Sequence, residues 1–357
     1  MLSKEVLELS KQHSVIRDIF EFGMQRAREV GAENVFDFSI GNPSVPAPKE
    51  VDETARRLLD ELDPVDVHGY TSNAGILEVR EAIANSLNRR FHTNYTAANI
   101  FMTIGAAAAL GICFKSLVDG PDDEVITFAP YFPEYQVYAE GAGCKLIVIP
   151  ADTSSFQINF EELEKTISKN TKAVLINSPN NPSGVVYSEE TIKKLAALLE
   201  KKQKEYGHSI YIITDEPYRE IVYDGFEVPY VPHYYKNTLV GYSFSKSLSI
   251  PGERVGYIVA PTEAEDFENL LPVFIASGRL LSYVSVPTLY QKVVGECVDL
   301  TSDLSIYQKN KDLFYNALID MGYECVEPGG AFYLFPKALE EDANAFCERA
   351  KKYDLLI

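Results

Sequence analysis

The sequence predicts an α/β protein whose mostly parallel sheet carries helices on both faces, joined to a smaller α+β domain. Three observations point there. Short apolar runs rich in β-branched residues alternate with helical patterns through the middle of the chain. An amphipathic helix pattern with clear capping residues lies between two of those runs. After about residue 285 the pattern changes to a long helix followed by a glycine turn between two extended segments.

The predicted strands are Ile100 to Ile104, Glu124 to Ala129, Lys145 to Pro150, Ala173 to Asn177, Ile210 to Thr214, Thr238 to Ser243 and Val255 to Ala260. Between the fourth and fifth, Ile192, Leu195, Ala196 and Leu199 recur at helical spacing. Ser188 stands as the N-cap of that helix, and Glu189 and Glu190 in its first turn favour the positive end of its dipole. A further helix is expected over Asp303 to Met321, then an extended Tyr323 to Val326 and a Gly329-Gly330 turn into Ala331 to Phe335. The domain division expected is residues 1–45 as an N-terminal segment with part of the small domain, 46–285 as the large domain, and 286–357 as the small C-terminal domain, incomplete at its end. The length of 357 residues suits two such domains.

Composition narrows the function. With 46% hydrophobic and 24% charged residues the chain is an ordinary globular sequence. A formal net charge of -19 disfavours nucleic acid as the main partner, since phosphate backbones call for clustered Lys and Arg. Apolar stretches are interrupted too early to span a bilayer, and Met1 to Arg17 has no apolar signal-peptide centre, so a cytoplasmic protein is expected, with no membrane partner. The cysteines Cys113, Cys144, Cys297, Cys325 and Cys347 are odd in number and form no CxxC pair, which fits a reducing compartment. Neither they nor His13, His68, His92, His208 and His233 show metal-ligand spacing, and no metal is expected.

Open parallel sheets bind ligands beyond the carboxyl ends of their strands, and every chemically suggestive motif falls there. Gly105 to Ala109 turns from a strand into a helix whose first turn is built of small residues, so that Ala106 and Ala107 can present backbone N–H groups to a phosphate. Close packing alone would also explain those alanines. Pro130-Tyr131-Phe132-Pro133 puts rings at the mouth of the sheet, where Phe132 could cover a flat ligand or simply pack. The run Asn177 to Gly184 is denser in Asn, Pro and Gly than a short turn requires, and Asn181 offers an amide donor. Asp215, in Thr214-Asp215-Glu216-Pro217-Tyr218, closes a strand with a carboxylate that needs a partner or caps a helix. Lys246 follows an apolar strand, lies among Ser243, Ser245 and Ser247, and precedes Arg254. A guanidinium there could bind phosphate and lower the lysine's proton affinity, favouring the neutral amine that a Schiff base requires.

Taken in order, Phe38 to Pro43, Tyr70 to Arg80, Gly105 to Ala109, Pro130 to Phe132, Asn181 to Gly184, Asp215 to Tyr218, Ser243 to Gly256 and Pro328 to Tyr333 resemble the class I/II aminotransferases of pyridoxal-phosphate (PLP) fold type I, the aspartate aminotransferase-like enzymes. The resemblance covers essentially the whole chain. It implies that the 46–285 domain binds pyridoxal 5'-phosphate, with Lys246 as the Schiff-base lysine that also shuttles the substrate proton. Asp215 would pair with the ring nitrogen, a contact worth roughly 5 kcal/mol at an effective dielectric near 20 before desolvation is subtracted. Tyr218 and Asn181 would bond the phenolic oxygen, and Phe132 would stack on the ring. The Gly105, Ala106 and Ala107 loop, Ser243, Ser245, Arg254 and a neighbouring subunit's Tyr70 would hold the phosphate. Gly41 and Asn181 would lie near the substrate.

The reaction implied is transfer of an amino group from an L-amino acid to a 2-oxo acid, by a homodimer with shared active sites. A C–S lyase or decarboxylase of the same fold, or a PLP-binding domain without catalysis, stays open on the residues alone. In this chain alanine stands where the family often has a polar residue after the phosphate-loop glycine. Arg279 could reach a substrate from the partner or lie on the surface. The family's substrate-carboxylate arginine sits on a C-terminal strand that is not reached by Ile357, so the natural chain is expected to continue by a few tens of residues.

Overall fold

The computed structural model describes residues 2–11, 15–39 and 41–357. His13 and Ile40, the latter within the Phe38 to Pro43 motif, lie outside the described residues. Nine strands occur among the described residues: β1 (Phe36–Asp37), β2 (Ile100–Thr103), β3 (Glu124–Phe128), β4 (Lys145–Ile149), β5 (Thr171–Asn177), β6 (Tyr211–Asp215), β7 (Thr238–Ser243), β8 (Gly256–Val259) and β9 (Leu355–Leu356). Seven of them form one sheet in the order β2-β8-β7-β6-β5-β3-β4. Its pairs are parallel except those of β8, which runs antiparallel to both β2 and β7.

Alternation along the central strands explains why helices cover both faces. Ala173, Leu175, Tyr211 and Ile213 point into one core cluster with Ala109, Leu110 and Cys113 of the helix Ala106–Leu117. Val174, Ile176 and Ile212 point the other way, onto Ile192, Leu195, Ala196 and Leu199 of the helix Glu189–Tyr206. Strands buried on both faces need continuous apolar runs, as these sequences supply. The expected cap of the second helix is in place: the Ser188 hydroxyl accepts from the Thr191 N–H at 3.1 Å, and Gly207 ends the helix in the left-handed region at φ 75°.

The chain divides into two compact units, residues 1–42, 316–325 and 336–357 in the smaller and 43–315 and 326–335 in the larger. The expected boundary near residue 285 therefore falls inside the larger unit. The helix Thr288–Glu296 follows that point, and its Val293 and Val294 share a core with Val51, Val79, Ile83 and Val240. Burial of those side chains, each about 1.5–3 kcal/mol, keeps residues 286–315 with the sheet. Within the smaller unit β1 and β9 pair in parallel, Phe36 with Leu355 and Asp37 with Leu356, beside an ion pair of Arg26 with Asp354. The apolar pair Leu355 and Leu356 thus forms a short strand.

The extended segments expected around Gly329-Gly330 make isolated bridges instead of strands. The backbone bonds of the turn are spent elsewhere. Tyr223 N–H donates to Gly329 O at 3.0 Å, Ala331 N–H to Ile221 O at 2.9 Å, and Gly330 N–H to Gly184 O at 3.0 Å. Among the described residues no helix is long and apolar enough to cross a membrane.

Candidate active site

Strand register gathers the predicted residues at one edge of the sheet. Asn177 at the end of β5 pairs with Asp215 at the end of β6, and Asp215 pairs with Gly241 of β7, two residues before Ser243. The antiparallel β8 delivers its beginning to the same edge, where Gly256 lies between Ser243 and Thr103. Arg254, just before β8, and Gly105, just after β2, are brought together by that pairing. The approach needs glycine on both strands. A Cβ on Gly256 would stand 2.3 Å from Tyr242 O and 3.0 Å from the Gly105 Cα, and one on Gly105, at φ +87°, would meet the Arg254 guanidinium at 2.7 Å.

Three kinds of hydrogen-bond donor converge at this end. The helix Ala106–Leu117 opens immediately after Gly105 with the N–H groups of Ala106 and Ala107. The hydroxyls of Ser243 and Ser245 are 2.6 Å apart, and Ser243 caps the short helix Phe244–Ser247. Arg254 is held with its Nη1 donating to Pro251 O at 2.7 Å and its Nη2 to Ile104 O at 3.3 Å. Two carbonyls thus fix a guanidinium beside a helix start, where positive charge and N–H dipoles add.

At the other end the surroundings are aromatic. Asp215 is buried; its Oδ2 accepts a 2.6 Å hydrogen bond from the Tyr135 hydroxyl, while Oδ1 has no hydrogen-bond partner among the described residues. Burial pushes the carboxyl up to about 7, the Tyr135 bond opposes that, and neighbouring Glu216 adds to it. The backbone beneath is tied down, with the Asn177 amide donating to Asp215 O at 2.7 Å and accepting from the Asn181 N–H at 2.6 Å.

Lys246 lies on the turn of helix after β7, its Nζ 5.3 Å from the Phe332 ring centre and 5.9 Å from that of Tyr218. Burial and, to a lesser extent, the charge of Arg254 together lower its ammonium to about 8. The Tyr218 hydroxyl stands 2.6 Å from that of Tyr333, and Phe132 packs edge-on against Tyr135 with centroids 5.7 Å apart.

Asp215, Tyr218, Asn181, Phe132, Ser243, Ser245, Lys246, Arg254, Gly105, Ala106 and Ala107 all belong to the larger unit. Tyr70 stands apart from them, 98% exposed after the helix Pro64–His68. Gly41 belongs to the smaller unit, and Arg279 is exposed at the end of the helix Phe267–Leu280. Sequence reasoning missed Tyr135 and Tyr333. A polar end on a buried ring normally finds a partner, so a tyrosine one turn beyond Phe132 was a readable signal for the first.

Residues 33–356 match the family model for class I and II aminotransferases. The solved structure of an amino transferase from Eubacterium rectale is similar at TM-score 0.97 and 54% identity, covering 100% of this chain and 90% of that one. An aspartate aminotransferase of Thermotoga maritima is 33% identical over 94% of this chain and 88% of its own length. A probable N-acetyl-LL-diaminopimelate aminotransferase of Bacillus subtilis is 32% identical over 85% and 74%. A mostly parallel sheet clothed by helices on both faces is the PLP fold type I arrangement of these relatives. The chain belongs to the class I and II aminotransferases, and it is an aminotransferase.

Proposed function

We propose that this aminotransferase moves the α-amino group of an L-amino acid to a 2-oxo acid with pyridoxal 5'-phosphate bound at Lys246. One observation carries the reading: a buried carboxylate oxygen of Asp215 without a hydrogen-bond partner among the described residues, at the same sheet edge as a half-buried lysine whose ammonium is weakened. An uncompensated buried carboxylate is costly, and a protonated ring nitrogen is the partner that suits it. The donor set at the opposite end, N–H groups, two hydroxyls and a guanidinium, suits a phosphate.

When bound, the cofactor supplies an electron-withdrawing ring that stabilises charge developing at the substrate Cα. Lys246 would hold it covalently, since a lysine titrating near 8 offers a usable fraction of neutral amine at physiological pH. Once displaced by the substrate, the same amine would take the proton from Cα. Asp215 would balance a positive ring nitrogen, Tyr218 and Asn181 would donate to the phenolic oxygen, and Phe132 would cover the ring. Ala106, Ala107, Ser243, Ser245 and Arg254 would hold the phosphate, aided by Tyr70 from the neighbouring subunit of a homodimer. Gly41, with Asn181, would serve the substrate, an assignment that rests on the resemblance.

The relatives' names make aspartate and an N-acetylated diaminopimelate the first amino donors to test. A half-reaction decides the matter. With no 2-oxo acid added, the holoenzyme should convert one equivalent of donor per site to its 2-oxo acid and then stop. Continued turnover without acceptor, or release of carbon dioxide or a thiol, would contradict transamination.

A further inference from the structure

Tyr333 has no role in the reading above, yet its hydroxyl stands 2.6 Å from that of Tyr218. The rings meet edge to face, with centroids 5.5 Å apart at 81°. Its neighbour Phe332 packs edge-on against Tyr218 at 5.4 Å and stacks on Tyr307. The loop that carries both is held firmly. Gly329 and Gly330 donate to Gly184 O, Ala331 donates to Ile221 O, and Ala331 O accepts from the Tyr223 hydroxyl. The same loop is thereby fastened to the turn of Asn181 and to the segment that follows Tyr218.

A phenol has one proton to give and can accept through its oxygen. In a pair of tyrosines one hydroxyl donates to the other, and the direction is set by whatever else the pair must bond. If Tyr218 spends its proton on Tyr333 it has none for a ligand. If Tyr333 donates, the Tyr218 proton is released toward the position that the cofactor's phenolic oxygen would take.

We propose that Tyr333 is a positioning residue, whose hydroxyl donates to Tyr218 and so commits the Tyr218 proton to the cofactor oxygen. This rests on the cofactor reading given above. An O–H that accepts a hydrogen bond becomes a better donor, so the two tyrosines act as a short polarised chain. Both keep their protons near neutral pH. Burial holds Tyr218 well above the ordinary tyrosine range, with the Tyr333 neighbour adding to it, and pushes Tyr333 up to about 12. The other titratable groups facing Tyr218 are Asp215, Tyr135 and Lys246, and all three stay in place in the variants below.

The test reads the absorbance of the lysine-bound cofactor against pH, apart from any turnover. Donation to the phenolic oxygen favours the deprotonated chromophore, so Tyr333→Phe should move its midpoint upward by a few tenths of a pH unit, about a twofold to threefold change in proton affinity. Tyr218→Phe should move it further. Adding Tyr333→Phe to Tyr218→Phe should then change nothing, because the chain is already broken. An unchanged midpoint in Tyr333→Phe, or an equal shift with and without Tyr218, overturns the inference while leaving the cofactor reading intact. Failure of the wild-type protein to form a lysine-bound chromophore would instead overturn that reading, and this inference with it. Equal cofactor stoichiometry and thermal midpoints in all variants show that each is folded.

Discussion

The two ends of the site are built on opposite principles. Around Asp215 the protein buries a carboxylate, gives it one tyrosine donor and leaves an oxygen without a partner among the described residues, so the charge is costly and its proton affinity is raised. Around Arg254 it sets out neutral donors, a helix start and two serines beside a guanidinium tied to backbone carbonyls. The first end is tuned, the second prearranged. Changes at the Asp215 end should therefore alter the rate of chemistry and the pH dependence of stability, whereas changes at the Arg254 end should alter cofactor affinity and little else.

The largest expected effect comes from Asp215→Asn. Turnover at saturating cofactor should fall on the order of 10²–10³-fold, the usual consequence of removing one electrostatic stabiliser of developing charge. Stability should move the opposite way. With its carboxyl raised to about 7, the folded cofactor-free protein binds the Asp215 proton more tightly than the unfolded chain does, so stability falls as pH rises from about 4 to about 7. Asp215→Asn removes that penalty. It should melt higher than wild type at pH 8, by up to a few kcal/mol of stability, with the gap closing as pH is lowered towards 4. A lower melting point at pH 8 would show that the carboxylate is compensated in the folded protein.

Tyr135→Phe sharpens the same end more gently. It removes the 2.6 Å donor to Asp215, a bond that holds the carboxyl down, and leaves a second oxygen without a partner. Removal of the substrate Cα proton should slow by about tenfold, in line with a hydrogen bond to a charged group. Single-turnover rates would measure this, and an unchanged rate would make Tyr135 a packing residue. Ser245→Ala, at the other end, should weaken cofactor binding by about tenfold while turnover at saturation stays within about twofold, as befits a hydrogen bond of about 1.5 kcal/mol to a charged phosphate. A turnover loss larger than the affinity loss would erase the distinction between the two ends.

Most of the larger unit was legible in the sequence because its strands are short β-branched runs between turn residues, and all seven predicted runs are strands of the sheet. Motifs at strand ends converged because register in a parallel sheet aligns those ends. What escaped was long-range. The antiparallel course of β8 shows only as a short link between Ser243 and Gly256, in which the Lys246 segment leaves no room for a crossover helix. Tyr135 meets Asp215 across 80 residues of sequence, and Tyr333 meets Tyr218 across 115. A tyrosine in an aromatic-rich stretch reads as core, and nothing local says where its hydroxyl ends. The domain boundary escaped for a similar reason, since Val293 and Val294 declare their allegiance only by packing against Val79.

The central claim is that Lys246, made less basic by burial and by Arg254, is the residue that binds the cofactor covalently. Borohydride reduction of the holoenzyme, followed by proteolysis and peptide mapping, tests it directly. The account predicts one pyridoxyl group per chain, on the peptide containing Lys246, and none on Lys246→Ala treated identically. A label on another lysine, or equal labelling of the Lys246→Ala protein, would contradict it.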